Sequence, residues 1–187
     1  MDEEKLGYLA EFIRIRNVAD QSVARLIGRP AHAGHIAEFV ASKIFDIELH
    51  FAATVKASDG FFRSGPFRGK SVNVKYGSRN SGILDVVHSL DAGDHPDVYL
   101  VFTGPRSGAV TSRNTFAPWV ITDVYVFESM QLLKDLRGLK LGVATSIRRQ
   151  LWQTASIYPE ANDVLYPLSP EQRALLKLFA PMPILPE

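Results

Sequence analysis

Apolar residues recur at helical spacing over residues 2–27: Leu6, Leu9, Phe12 and Ile13, then Val23, Leu26 and Ile27. Residues 17–21 interrupt the pattern, which leaves one helix or two short ones open. Gly28, Arg29 and Pro30 close it, since glycine and proline mark helix exits. A second helix is predicted over 32–45, where Ile36, Phe39, Val40 and Ile44 trace an apolar side and Glu38 lies between apolar positions. Residues 47–55 read as a strand. The turn-forming run 64–69 (Ser-Gly-Pro-Phe-Arg-Gly) links Ser58-Asp59-Gly60-Phe61-Phe62 to a second alternating stretch, 70–76. There Val72 and Val74 share one side, and Asn73 and Lys75 the other.

Residues 77–82 read as a polar loop. The unbroken apolar run 98–102, stopped by Gly104 and Pro105, predicts a central strand covered on both faces. A further strand is predicted over 119–127, then a helix over 128–136, helical segments over 147–155 and 170–179, and a proline-rich tail at 181–187. The expected architecture is α/β: a mixed sheet flanked by helices. A core over 31–140 would carry an N-terminal helical segment (1–30) and a C-terminal helical extension (141–187), all as one domain.

Composition narrows the function classes. The 187 residues include no cysteine, which excludes disulfides and cysteine-ligated zinc. The acidic start, Met1 to Lys5, lacks the order of a signal peptide. No apolar run approaches the roughly 20 residues of a membrane span. A soluble cytoplasmic protein with no membrane partner is expected. A net charge of +1 argues against a general polycation, yet six cations (Lys56, Arg63, Arg68, Lys70, Lys75, Arg79) and one acid, Asp59, fall within 56–82. Such clustering suits a phosphate backbone, although a solvated hairpin would also carry Arg63 and Arg68.

Phosphodiester hydrolysis needs a hard cation to stabilise phosphate charge and activate water, oxygen ligands to hold that cation, and a lysine to offset developing charge. Two strands joined by a hairpin can supply such groups side by side. Asp59 ends one extended segment, and Asn73 and Lys75 sit two apart on the next. Each residue also has an ordinary reading: Asp59 before Gly60 suits a plain turn, Lys75 a solvated strand, and Glu38 the solvent side of its helix. Asp85 follows the loop and more often serves as a local cap. His32, His35 and Glu38 are spaced three apart but lack the His-Glu-x-x-His order of a zinc hydrolase, so both histidines read as structural; His88 and His95 receive no role. Nucleotide-binding glycine loops and the serine nucleophile elbow are absent from the sequence. Residues 21–40 could pass for a helix-turn-helix, but the following helix has few cations.

Asp59, a hairpin, then Asn73-Val74-Lys75 resembles the Asp…(Asp/Glu)-x-Lys signature of the PD-(D/E)xK nuclease superfamily. The run from Gly34 to Glu38 looks like that superfamily's first core helix, which often contributes a glutamate, and 97–102 looks like its third core strand. The resemblance spans about residues 30–140 and implies a restriction-endonuclease-like αβββαβ core. It further implies magnesium (or manganese) dependence, a DNA substrate and endonuclease activity in restriction or defence. Asp59 and Glu38 would hold the metal, Asn73 would be a weak ligand, and Lys75 would stabilise phosphate charge. Lys70, Arg79, Arg68 and Arg63 would contact DNA, and a homodimer would cut both strands. Asn73 stands where the family usually has Asp or Glu; the amide can ligate through its carbonyl but brings no charge. The same fold retained only to bind nucleic acid, with a decayed metal site, is the competing expectation, and a mixed α/β protein with no nucleic-acid role is the third.

Overall fold

The N-terminal apolar periodicity forms a single unbroken helix, α1 (Asp2–Ile27), in the computed structural model of the chain, which describes residues 2–51, 57–78, 83–84, 95–105, 118–136, 144–145, 149–162 and 165–182. Gly28 ends the helix at φ 72°, a left-handed conformation that glycine adopts without a Cβ penalty, and its N–H bonds to the Ala24 carbonyl at 2.9 Å. Helix α2 (Ala33–Ile44) follows. The remaining elements are β1 (Ile47–Leu49), β2 (Gly60–Phe62), β3 (Ser71–Ser78), β4 (Ile83–Leu84), β5 (Val98–Gly104), β6 (Asp123–Glu128), α3 (Ser129–Asp135), β7 (Ala144–Thr145), α4 (Arg149–Thr154), β8 (Ser156–Tyr158) and α5 (Pro170–Lys177).

Six strands form one open mixed sheet in the order β1-β2-β3-β5-β6-β8, while β4 and β7 pair separately. Only β3 and β5 run parallel among the six, with Val72 beside Val98 and Lys75 beside Val101. A parallel pair requires a crossover between its strands; here that stretch, 79–97, falls mostly outside the described residues. Asp97 fastens the start of the pair: its Oδ2 accepts the Ser71 N–H at 2.7 Å and the Ser71 hydroxyl at 2.8 Å.

Alternation divides the core between two faces. Val72, Val74, Val98, Leu100 and Phe102 pack with Ala37, Val40, Ala41 and Ile44 of α2 and with Leu176 of α5. On the other face Tyr99, Val101, Tyr125 and Phe127 pack with Leu132, Leu133 and Leu136 in and after α3. All seven residues of β5 are buried, the result expected of a strand covered on both sides. Ala37 and Ala41 have no exposed surface, and their short side chains let α2 lie close to β3.

Several boundaries depart from the sequence pattern for identifiable reasons. The strand expected over 47–55 ends at Leu49, and Phe51 is fully exposed beyond it. The stretch read as a polar loop from 77 begins as strand, since Gly77 and Ser78 continue the β5 pairing. The strand expected from 119 starts at Asp123: Trp119 stacks on Tyr76 at 5.0 Å and donates its indole N–H to the Ala33 carbonyl at 3.2 Å, while the Tyr76 hydroxyl donates to the Val120 carbonyl at 3.1 Å. These contacts draw 119–120 away from the ladder and pin the start of α2.

The C-terminal extension read as helical contains β8, the edge strand of the main sheet beyond β6, and its Tyr166, Leu168 and Leu176 complete the α2-side core. Three residues are too few to show a strand period. Helix α5 begins with a capping box between Ser169 and Gln172, and Gln172 also donates to the Ile44 carbonyl at 2.9 Å, satisfying the C-terminus of α2. The segment 97–102, likened above to a third core strand, stands fourth in the row. No helix among the described residues is long and apolar enough to cross a membrane.

Candidate functional site

The β2–β3 pairing decides where Asp59 lies. Gly60 stands opposite Val72, so the residue before it reaches the neighbourhood of Asn73. The Asp59 N–H donates to the Val72 carbonyl at 2.8 Å, and Asp59 Oδ2 accepts the Val74 N–H at 2.7 Å. Both bonds to β3 therefore straddle Asn73. On its other side the Asp59 carbonyl accepts the His50 N–H at 2.8 Å, which holds the aspartate between the ends of two strands. Gly60 makes this approach possible: a Cβ there would lie 2.2 Å from the Glu48 carbonyl oxygen.

Burial drives the Asp59 carboxyl above its ordinary value, against the Val74 N–H and the charges of Lys75, Arg29 and His50, which favour the ionised form. Glu38 is also raised, first by burial and then by the negative charge of Asp59; Arg29 and His35 oppose the rise. The two carboxylates thus sense each other across the gap between α2 and the sheet. The Glu38 side chain is only 15% exposed and is paired with the Arg29 guanidinium. Arg29 reaches it because the Gly28 turn directs the chain back along α2.

Asn73 and Lys75 lie on the face of β3 opposite Val72 and Val74, beside Tyr99 and Val101 of β5. Asn73 Nδ2 donates to the Ala57 carbonyl at 3.3 Å, while its Oδ1 is buried with no hydrogen-bond partner. An unpartnered buried carbonyl oxygen is costly, so Asn73 is held at a desolvation penalty. Ala57, its acceptor, has φ 65°, a left-handed conformation that costs a residue with a Cβ about 1–2 kcal/mol. Strain and an unsatisfied polar atom therefore meet beside Asp59.

Asp59 is the centre of the residues expected to act together: Glu38 lies within electrostatic range on the α2 side, Lys75 within range from β3, and Asn73 between its two strand bonds. The expected DNA-contacting cations are placed elsewhere. Arg63 donates to Asp46 at 2.8 Å, Arg68 is exposed in the hairpin, and Lys70 pairs with Glu128 at 2.7 Å. Lys70 also lines a cleft of about 480 Å³ with His95, Asp97, Glu128 and Lys134. All three belong to the hairpin end of β3, away from Lys75. Arg79, Lys56, Asp85 and His88 lie outside the described residues.

His35 Nδ1 donates to the Pro30 carbonyl, 2.9 Å away, and its ring lies 5.4 Å from that of His32. Two contributors were not foreseen. Arg29 read only as part of a helix exit, and the pattern held no clue that it would fold back onto Glu38. His50 lies in the extended stretch after β1; its Nε2 is 3.2 Å from the Ser58 hydroxyl and its ring meets Phe61 edge-on. A histidine at the end of a strand was the available signal. Among the described residues no group of three His, Asp or Glu side chains is arranged to hold a metal ion. The available oxygen donors are two carboxylates and one amide carbonyl. No protein-family model and no curated protein matches the chain.

Proposed function

We propose that the chain is a metal-dependent endonuclease of the restriction-endonuclease-like kind that hydrolyses DNA phosphodiester bonds with magnesium or manganese. The observation carrying this reading is Asp59. It is a half-buried carboxylate fixed to β3 by a 2.7 Å bond, with its charge felt by Glu38 and opposed by Lys75, and its two bonds to β3 straddle Asn73, whose buried Oδ1 has no partner. Two carboxylates raised by burial, with an unpartnered amide oxygen on the neighbouring strand, are oxygen donors whose electrostatic cost a hard cation would relieve. The mixed sheet with helices on both faces is compatible, at the level of the α/β class, with the fold that the resemblance of Asp59…Asn73-Val74-Lys75 to the nuclease signature implies.

Asp59 and Glu38 would hold the cation, with Asn73 Oδ1 as a neutral third donor. The cation would supply Lewis-acid stabilisation of the phosphate and a more acidic water. Lys75 offsets negative charge developing on the phosphate. Arg29 neutralises Glu38 and keeps its carboxylate near Asp59. Restriction or defence is the biological setting this chemistry suits.

Supercoiled plasmid incubated with the purified chain and magnesium or manganese tests the reading. Nicked or linear product is expected, and Asp59→Ala or Lys75→Ala should each lower the rate by at least about 100-fold, the scale of removing one electrostatic stabiliser. An inactive parent, or variants that cut equally well, would remove the assignment.

A second reading is favoured by two specific observations: Glu38 is engaged by Arg29, and the third donor carries no charge. On that reading the fold grips nucleic acid without cutting it. Salt-sensitive DNA binding without manganese binding is then expected, and Asn73→Glu restores cleavage. In a working nuclease the same substitution lowers it.

A further inference from the structure

Helix α1 is 26 residues long, about 39 Å at the α-helical rise, and every residue from Glu4 to Ser22 is exposed. Only Val23, Ala24 and Ile27, near its end, are half-buried where α1 meets α2. Yet the exposed part carries large apolar side chains, Phe12 at 65% exposed and Leu26 at 74% among them. Long helices draw most of their stability from packing an apolar face, and an exposed apolar face of this length marks an interaction surface.

We propose that this face is the seam of an antiparallel homodimer, with α1 of a second copy as its occupant. Tyr8, Phe12, Ile15, Ala19, Ser22 and Leu26 follow one another at alternating steps of four and three, the spacing of a coiled-coil seam. The seam is symmetric about Asn17. Antiparallel pairing sets Tyr8 against the partner's Leu26, Phe12 against the partner's Ser22, and Ile15 against the partner's Ala19, so each bulky residue of the first half meets a smaller one of the second. Parallel pairing would stack Phe12 on Phe12 and leave Ala19 and Ser22 facing a void, which close packing disfavours.

Charge selects the same direction. The first three turns carry Asp2, Glu3, Glu4 and Glu11 against Lys5, while the last turn carries Arg25. Antiparallel helices put Glu11 beside the partner's Arg25 on the flank of the seam, with Val18 meeting Val18 of the partner at its middle. Arg16, which would approach its own copy, is already paired with Asp20 at 3.6 Å within each helix. The inference does not rest on the nuclease reading.

Sedimentation equilibrium of the full chain tests it. A mass twice the 20.8 kDa of one chain is expected, and Phe12→Glu should halve it. Because the chain has no cysteine, single-cysteine variants at exposed positions report geometry even where Phe12→Glu fails to fold. With a short thiol-reactive cross-linker, Val18→Cys should join the two copies. Tyr8→Cys should not, since the two sites would be about 27 Å apart along the axis. A monomeric parent, an unchanged Phe12→Glu dimer, or equal cross-linking at Tyr8 and Val18 would overturn the proposal.

Discussion

At the scale of single residues, Asp59 and Glu38 are kept where burial opposes their charge. Both folded-state carboxyls are raised, so their contribution to stability is fully present at low pH and is lost as pH rises through the folded values. The fold is therefore expected to gain stability from these two groups as pH falls from neutral towards the acid range. Asp59→Asn should raise the melting temperature at pH 8, because the amide oxygen can still accept the Val74 N–H without burying a charge. The advantage over the parent should shrink as pH is lowered. Thermal denaturation of both proteins across pH 5–8 measures it, and a variant less stable than the parent at pH 8 would contradict it.

At the scale of elements, the positions of α2 and of the β1–β2–β3 meander set the site. Gly60 lets β2 pass close to β1, and Gly60→Ala would drive a methyl group into the Glu48 backbone, which has no side-chain freedom to yield. The expected loss is about 1–3 kcal/mol, the range of overpacking, read as a lower urea midpoint. Tyr76 links β3 to the segment that pins the start of α2, through a stacked Trp119 and a hydroxyl bonded to Val120. Tyr76→Phe should cost about 1 kcal/mol for the lost hydrogen bonding while leaving the ring stack in place, measured in the same urea titration. The helix α2 boundaries were legible within a residue or two because a 3.6-residue period repeats over three turns. The β6 start was not, because contacts of Trp119 and Val120 with Tyr76, more than 40 residues away in sequence, outweigh their strand preference.

At the scale of the whole molecule, the described C-terminal residues belong to the same core as the sheet. Leu176 is fully buried with α2 residues, β8 extends the sheet beyond β6, and Gln172 caps α2. Leu176→Ala should cost about 2–5 kcal/mol in a single unfolding transition, as a large-to-small change in a closed core does. A chain ending at residue 154 should lose cooperative unfolding by calorimetry, since it would uncover the edge of β6 and the apolar face of α2. Retained cooperativity in that truncation would show 155–187 to be dispensable for the core.

The chain's hydrophobic periods by themselves determined the helices, the central buried strand and the face-sharing of Asn73 with Lys75, because period and burial are properties of neighbouring residues. The spacing from Asp59 through the hairpin to Asn73 and Lys75 pointed to one neighbourhood; the β2–β3 register set the contact itself, Asp59 Oδ2 on the Val74 N–H. Only the tertiary structure decided that β8 completes the sheet, that Arg29 turns back to Glu38, that His50 flanks Asp59, and that Arg63 and Lys70 spend their charge on Asp46 and Glu128. Each of these depends on which distant segments meet, and on whose charges the low-dielectric gap between them makes strong; no local pattern of residues carries that information.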